Sequence, residues 1–441
     1  MPTTLQSPPM AELLSSKAVA INEIPTALQE LWQANANTQR ANTFSVVIYE
    51  PAPIQQLLTA LGFYDGPIDG INGPLTKDAL AKAQQAYDLT ITGKANEVTF
   101  AKLEEAYLAA SKQKITPTAA EQNYRAADAV AESGPSRIVT LCATNSTANE
   151  LVAQVSAYSP IKKRQQSAML GCEYVTFSGN AALLEANSQV VAETLLPELP
   201  LYVWWKGTPK VDHALFKSLT DRATHVLVDS ATFVDSVMDF LLIPPLLAQG
   251  RSIIDINWQR IAPWQELTAA TFDPPERRNA INEIDLVEVN FERGSSAQAW
   301  MYIAWLAGRL GWEPQSYQMV GGDYQLRQLQ FLADDGRTIK VELASMPIPE
   351  VGEVVGDLMG IQLASTNPKS NCNTILCSET AGCMRMESGG KAQSGLVEQV
   401  NSVADQNAEQ LVAANFHRSN RDWLYAETMT ILSKILSLDA G

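Results

Sequence analysis

Hydrophobic and polar positions follow three rhythms along this chain, and each predicts a different architecture. Between residues 136 and 275, short apolar runs at 137–143, 173–177, 201–205, 225–228 and 252–256 alternate with helix-length stretches near 147–158, 181–195, 211–219 and 232–244. Strands spaced by helices need crossover connections, so this block predicts a mostly parallel, helix-covered sheet of the α/β class. The rhythm changes at 276–390. There a strand at 283–291 precedes a strongly apolar helix at 297–310 carrying Trp300 and Trp305, and residues 315–366 read as a β-meander whose Ala333-Asp-Asp-Gly-Arg turn signals a hairpin. This predicts an α+β domain. At the N-terminus (1–50), Leu13, Leu14, Ile21, Leu28, Leu31 and Trp32 recur near helical spacing over 11–35, and 44–49 reads as a strand ended by Pro51 and Pro53. The last block, 391–441, predicts helices, with Trp423, Leu424, Ile431, Leu432 and Ile435 as an apolar stripe packing on its own domain.

A separate small module occupies 51–110. It reads as a helix, the turn Leu61-Gly-Phe-Tyr-Asp-Gly-Pro-Ile-Asp-Gly-Ile-Asn-Gly-Pro, a helix over 76–87, Ile91-Thr-Gly, and a last short helix through Phe100 and Leu103. Gly66, Gly70 and Gly73 permit tight turns, and Pro74 with Thr76 suits a helix start. This signature resembles the peptidoglycan-binding-like three-helix module, read here as an interaction module. Asp65 and Asp69 lack the spacing and the closing glutamate of a calcium loop. Residues 111–135, rich in Ala, Ser, Glu and Lys and ending Ser-Gly-Pro-Ser, predict a linker.

With 441 residues, roughly three domains are expected, and 46% hydrophobic residues supply their cores. A net charge of −16 disfavours binding to nucleic acid or anionic lipid, since like charges repel. No apolar run reaches the length of a membrane span, and the first residues lack the basic start and apolar centre of a signal peptide, so a cytoplasmic protein is expected. Five cysteines, an odd number, point to reduced or reversibly oxidised thiols instead of a secreted disulfide framework.

Catalytic signatures are missing from the places an α/β fold would put them. After Leu141 the chain runs Cys-Ala-Thr-Asn-Ser-Thr, without phosphate-cradling glycines, and no P-loop, Gly-x-Ser-x-Gly or His-Glu-x-x-His occurs. His213, His225 and His417 are too scattered for a metal pair. A chain without catalysis, cofactor or metal is therefore expected. One cluster holds chemistry: Cys372, Cys377 and Cys383. If 374–377 and 383–386 are hairpin arms turned by 378–382, Cys377 and Cys383 oppose one another with Cβ atoms about 4.5–5.5 Å apart, near disulfide geometry. A reversible Cys377–Cys383 bond is one reading and inert thiols the other; zinc or an iron–sulfur centre lacks a fourth ligand. Cys142 and Cys172, at strand positions, read as buried hydrophobes.

Two further segments carry anchoring chemistry. Trp204 and Trp205 are adjacent in a strand and must point to opposite faces, one into a core and the other toward a second layer or a partner, unless both are packed within the domain. The stretch 195–207 with Trp204, Trp205 and Lys206, the Arg-x-x-Pro-Trp of Arg260, Pro263 and Trp264, and Ala304-Trp-Leu-Ala-Gly-Arg-Leu-Gly resemble the OpcA family, the glucose-6-phosphate dehydrogenase assembly proteins. The likeness covers roughly 136–365, and a peptidoglycan-binding-like module ahead of it matches the cyanobacterial form of that family. The resemblance implies a non-catalytic partner of glucose-6-phosphate dehydrogenase that promotes its assembly and raises its activity in the pentose phosphate pathway, with the six signature positions as partner-binding candidates. Redox control through the cysteine hairpin, with thioredoxin as reductant and the oxidised form as better activator, is a hypothesis built on that reading. A cytosolic multi-partner scaffold and a sugar or cell-wall hydrolase are the alternatives.

Overall fold

The computed structural model describes residues 10–438 except 35–37, 40–41, 51–52, 65–73, 94–96, 112–128, 132, 144–149, 161–168, 171, 234, 276, 294, 347–353, 355, 368–372, 380–382, 389–396, 403–407 and 417–420. Two compact units make up the chain: residues 1–228, 251–254 and 408–419 form the first, and 229–250, 255–407 and 420–441 the second.

The first unit is built on an eight-stranded sheet. Its strands are β1 (Met10–Val19), β2 (Phe44–Glu50), β3 (Ser136–Ala143), β4 (Val152–Pro160), β5 (Cys172–Gly179), β6 (Leu201–Trp205), β7 (His225–Val228) and β8 (Ile253–Asp255), in the spatial order β1-β4-β5-β3-β2-β6-β7-β8. Phe-Ser-Val-Val-Ile-Tyr-Glu, buried at every residue of β2, has the unbroken apolar character of a strand covered on both faces. It pairs in parallel with β3 on one side and β6 on the other. The chain adds β3 and β5 to one side of β2, then crosses over to add β6 and β7 on the other, all parallel. This is the doubly wound arrangement, whose switch point lies between β2 and β6.

The predicted parallel, helix-covered sheet is present, with two corrections. Residues 11–19 belong to strand β1 and only Ile24–Ala34 (α1) is helical, and the stretch read as a helix near 147–158 is strand β4, antiparallel to both β1 and β5. In β4, Ala153, Val155 and Ala157 are buried while Val152 and Gln154 are exposed. That is a period-two pattern written in small residues, which periodicity in bulky side chains does not register. The N-terminal block is also not a separate domain, because β2 is the central strand of the sheet.

Between β2 and β3 the chain makes the three-helix module: α2 (Pro53–Ala60), α3 (Pro74–Ala86) and α4 (Glu97–Ser111). Ile54, Leu58, Leu80, Ala83 and Leu103 centre its core, with Phe63, Tyr87 and Phe100 packed around them. Buried Gln84 organises the Ile91-Thr-Gly turn, its carbonyl accepting from Thr92 N (2.8 Å) and Gly93 N (2.9 Å) and its amide donating to Thr99 Oγ1 (3.0 Å). Asp65 and Asp69 lie outside the described residues. On the sheet itself, α5 (Ala181–Ala186) packs on β3 and β5, and α6 (Ser188–Glu193) and α7 (Ala214–Thr220) pack on each other. The chain returns to this unit late. Phe416, directly after α12 (Ala408–Asn415), sits 5.0 Å from Phe44 and 4.9 Å from Tyr202, ring centre to ring centre.

The second unit holds α8 (Ile243–Ala248), α9 (Ile256–Arg260), α10 (Ala262–Phe272) and another eight-stranded sheet. That sheet comprises β9 (Leu286–Glu292), β10 (Glu313–Gly321), β11 (Leu326–Leu332), β12 (Thr338–Met346), β13 (Leu358–Ala364), β14 (Asn373–Glu379), β15 (Cys383–Ser388) and β16 (Val397–Ser402). Its order is β10-β11-β12-β9-β13-β14-β15-β16. The α+β reading and the hairpin at 333–337 hold; Ala333 N donates to Arg337 O at 2.9 Å. The run is not a simple meander, because β9 inserts between β12, to which it is parallel, and β13. Helix α11 (Ala297–Leu310), buried from Ala297 to Ala307, packs against β9. Gly356 (φ +84°) closes on Ser295, whose carbonyl oxygen lies 2.0 Å from where a Cβ would stand, so no other residue fits.

The predicted C-terminal block is divided between the units. Helix α13 (Trp423–Ser437), in the second unit, buries Tyr425, Thr428, Met429, Leu432, Ile435 and Leu436, whereas Trp423 is 67% exposed. The predicted stripe is therefore rotated: its tryptophan faces out.

Candidate functional site

The carboxyl ends of β2 and β6, at the switch point of the first sheet, gather half of the signature residues. Parallel register sets Tyr49 beside Trp205 and Ile48 beside Trp204. The Trp205 indole stacks on Tyr49 at 3.9 Å with planes 4° apart, meets Phe216 edge-on at 4.9 Å, and donates to Thr208 O at 3.2 Å. On the opposite face Lys206 Nζ lies 4.5 Å over the Trp204 ring and pairs with Glu50. Both tryptophans are buried, and Trp204 Nε1 finds no hydrogen-bond partner among the described residues. Neither indole is thus left to reach a partner; the strand is covered on both faces. In doubly wound sheets that bind nucleotides, the turn after the first strand cradles phosphate. Here that connection leads into the three-helix module, and the Glu50–Lys206 ion pair stands at the strand ends.

The cysteines beside this sheet are quiet. Cys142, in register with Glu50, has its thiol pushed up to about 12 by burial and then by the Glu50 charge. Burial also raises Cys172, whose Sγ lies 3.8 Å from Ser136 Oγ. Both stay protonated at neutral pH; Cys172 is buried as expected, whereas Cys142 is only half-buried.

Of the remaining signature residues, Arg260 enters a buried polar network in the second unit. Arg260 grips Asp229 with two bonds, Nη1 to Oδ1 at 2.7 Å and Nη2 to Oδ2 at 2.9 Å. Asp255 caps α9, accepting from Asn257 N at 2.9 Å and Ser230 N at 3.1 Å through one oxygen and from Tyr425 Oη at 3.2 Å through the other. Gln298 donates to Asn257 Oδ1 (3.0 Å) and Asp357 Oδ1 (2.6 Å). Burial, and then the neighbouring Asp229 charge, lift the Asp255 carboxyl to about 6. Pro263 starts α10, where its missing N–H costs nothing, and Trp264 is buried. Trp258 donates to Asp422 Oδ2 at 2.9 Å, while Asp422 Oδ1 caps α13 by accepting from Tyr425 N at 2.9 Å. Arg260 therefore neutralises a buried carboxylate and presents no charge outward. Sequence reading missed Asp229 and Asp255, though a signal existed: each is an acidic residue at the end of an apolar strand, where neighbouring strands bring such ends together.

The cysteine hairpin exists, but its register differs from the one expected. β14 and β15 pair with Cys377 opposite Arg385 and Cys383 opposite Glu379. The two cysteines are diagonal, about 7–8 Å apart at that offset, which is beyond direct disulfide reach. The first arm runs two residues past the expected Cys377, to Glu379, while the second still begins at Cys383, and this offsets the pairing. Cys372 lies outside the described residues. Among the described residues no three His, Cys, Asp or Glu side chains converge to hold a metal ion, and no helix is long and apolar enough to cross a membrane.

Against known proteins, residues 127–243 match the family described as the glucose-6-phosphate dehydrogenase subunit N-terminal domain and residues 251–429 the corresponding C-terminal domain. Residues 51–103 match the "Putative peptidoglycan binding domain" family. The class is thus that of these two-domain subunits, with a small module set into the first sheet. Proteins named "Putative OxPP cycle protein OpcA" are similar over nearly the whole chain. The one from Synechococcus elongatus is 44% identical over 97% of this chain and 98% of its own, and the one from Synechocystis is 42% identical over 99% and 95%. The chain belongs to the OpcA family. A solved 3-ketoreductase from Actinomadura kijaniata, KijD10, is 13% identical over 60% of this chain and 81% of its own at a TM-score of 0.39, too low to carry any argument.

Proposed function

We propose that this chain is a non-catalytic activator and assembly factor that binds glucose-6-phosphate dehydrogenase, favours its active oligomer and so supports the oxidative pentose phosphate pathway in the cytoplasm. The observation that carries the reading is the paired match to both domains of the dehydrogenase-subunit families across 127–243 and 251–429. An activator of this kind binds the competent form of its enzyme more tightly than the idle form, because equal affinity shifts nothing. A coupling of about 1–3 kcal/mol already gives roughly 5–150-fold effects on substrate affinity. The test adds the purified protein to the dehydrogenase of the same organism and follows KM for glucose 6-phosphate together with oligomer mass. A lower KM with co-elution is expected; separate elution and unchanged kinetics would overturn the reading.

Thiol control is the finer part of the proposal. A Cys377–Cys383 bond needs the hairpin to slip by two residues, opening the Glu379–Cys383 pair and lengthening its turn to 378–382; an even slip preserves the alternation of faces. Thiol–disulfide exchange with a disulfide oxidant takes two electrons and two protons from the thiols, leaving that oxidant as a dithiol, and the thioredoxin dithiol returns them, so redox state and hairpin register are coupled. Mass spectrometry of both thiols alongside activation by Cys377→Ser tests this. An activation that responds to reductant equally in wild type and variant would retire it.

A further inference from the structure

One charge in the second unit is buried without its opposite. Arg327, the second residue of β11, is 8% exposed, and among the described residues no carboxylate pairs with it. Its guanidinium donates from Nη1 to Gln325 O at 3.2 Å and lies 5.9 Å from the Phe291 ring centre, while Nε finds no acceptor among the described residues. Arginine is seldom buried unless paired, because the cost of taking a charge out of water is offset only by an opposite charge and filled hydrogen bonds. The Arg260–Asp229 clamp of the same unit meets that rule, and Arg327 does not. A second orphan stands close by: Ser345 on β12 is 1% exposed, and its Oγ also lacks a partner among the described residues.

Register brings the two together. Arg327 stands opposite Leu343, two residues from Ser345, and Ser345 stands beside Phe291. All four share the sheet face that carries buried Leu329 and Val341, so the two polar groups are set among apolar side chains. They lie at the rim of the sheet, since Met319, opposite Arg327 on β10, is 58% exposed. The adjoining turn is held in shape. Gln325 keeps a left-handed φ of +45°, uncommon for a residue with a Cβ, while Arg293 Nη2 donates to Asp323 O and Ser345 N to Tyr324 O at 2.8 Å. This conformation sets the Gln325 carbonyl against one nitrogen of the guanidinium and leaves Nε without an acceptor.

We propose that Arg327 and Ser345 form a binding site for a small organic carboxylate, whose oxygens accept from Arg327 Nε and the Ser345 hydroxyl while its carbon body packs against Phe291 and Leu343. Charge selects the ligand. One guanidinium balances one carboxylate, whereas a phosphate dianion leaves a net negative charge in the same buried place. The planar guanidinium also matches a planar carboxylate, and apolar walls around a single charged anchor favour a ligand with a carbon body over a bare ion.

The test uses the full-length chain with no dehydrogenase present, so its outcome is separate from that of the proposed function. Sodium acetate, isobutyrate, benzoate and phosphate are titrated at constant ionic strength into wild type, Arg327→Met and Ser345→Ala, with binding followed by calorimetry and by melting temperature. Expected results are saturable binding of a carboxylate by wild type at or below about 10 mM, a loss of at least about tenfold in Arg327→Met, and a several-fold loss in Ser345→Ala. Without ligand, Arg327→Met should melt within about 4 °C of wild type, because an unpaired buried charge gives the fold nothing that an apolar side chain does not. A larger drop would assign Arg327 a structural role and overturn the proposal. So would carboxylate binding that Arg327→Met retains, phosphate binding tighter than that of every carboxylate, or no saturable binding of acetate, isobutyrate or benzoate.

Discussion

The two signature motifs sit in different units and hold them by different physics. In the first unit, Trp204 and Trp205 work through ring contacts: Trp205 is sandwiched by Tyr49 and Phe216, and Trp204 lies under the Lys206 ammonium. In the second, Arg260 works through charge, buried at 8% exposure and clamped to Asp229 beside Asp255. Aromatic packing tolerates imperfection, as the unpartnered Trp204 N–H illustrates. A buried ion pair does not, because removing one member leaves the other charge without solvent or partner. What the contrast teaches is that residues diagnostic of a family are not thereby its contact surface: both motifs specify the inside of their own unit.

The sharpest way to break this comparison is Arg260→Ala, which strands the Asp229 and Asp255 carboxylates in a buried setting. A loss of about 4–5 kcal/mol is expected by denaturant unfolding, and a loss below about 1 kcal/mol would mean the network is solvated. Trp205→Ala comes next, at about 3–4 kcal/mol from lost ring contacts and the cavity left behind, with no change in the pH profile of unfolding. A third experiment isolates the charge term through Asp255, whose carboxyl is held at about 6 when folded against 3.8 unfolded. The folded chain thus binds this proton more tightly, so the group's stabilising contribution is complete below the unfolded value and is lost as pH rises through about 6. The span is about 3 kcal/mol, and Asp255→Asn, which keeps an oxygen for the Ser230 and Asn257 amides, should gain that much on wild type between pH about 4 and about 7.5. A pH-independent difference would refute it. Smallest is Trp204→Phe, which deletes an indole N–H without a partner among the described residues and part of the ring under Lys206; about 1 kcal/mol is expected.

Legibility in the sequence tracked the size and continuity of the side chains. Strand 201–205 is plain because Leu-Tyr-Val-Trp-Trp is buried without interruption, and helix 297–310 because its apolar residues leave no polar face. Strand Val152–Pro160 is hidden, since Ala153, Val155, Ser156 and Ala157, none of them bulky, carry its buried positions. The site was legible in part. Arg260, Pro263 and Trp264 stand out as a motif, yet the meaning of Arg260 depends on Asp229, 31 positions earlier, and only the packing of the second unit supplies that pairing. The cysteine register failed for a local reason: a hairpin's alignment is set by where its arms end, and extending one arm by two residues, from Cys377 to Glu379, offsets the facing positions by two.

The placement of the three-helix module has an engineering consequence. Because β2 and β3 are neighbours running the same way, the chain leaves at the carboxyl end of β2 and must travel back to the amino end of β3. Excising residues 53–111 still leaves 26 residues, 51–52 and 112–135, between Glu50 and Ser136, more than the about a dozen that a parallel crossover needs, so that deletion keeps the strand order, whereas removing 51–135 and joining the ends with a tight turn would reverse or unpair the strand at the heart of the first unit. Shuffling this module between proteins is consequently a matter of conserving travel distance: a form lacking 53–111 alone should be recovered folded, while one lacking 51–135 should be recovered as aggregate.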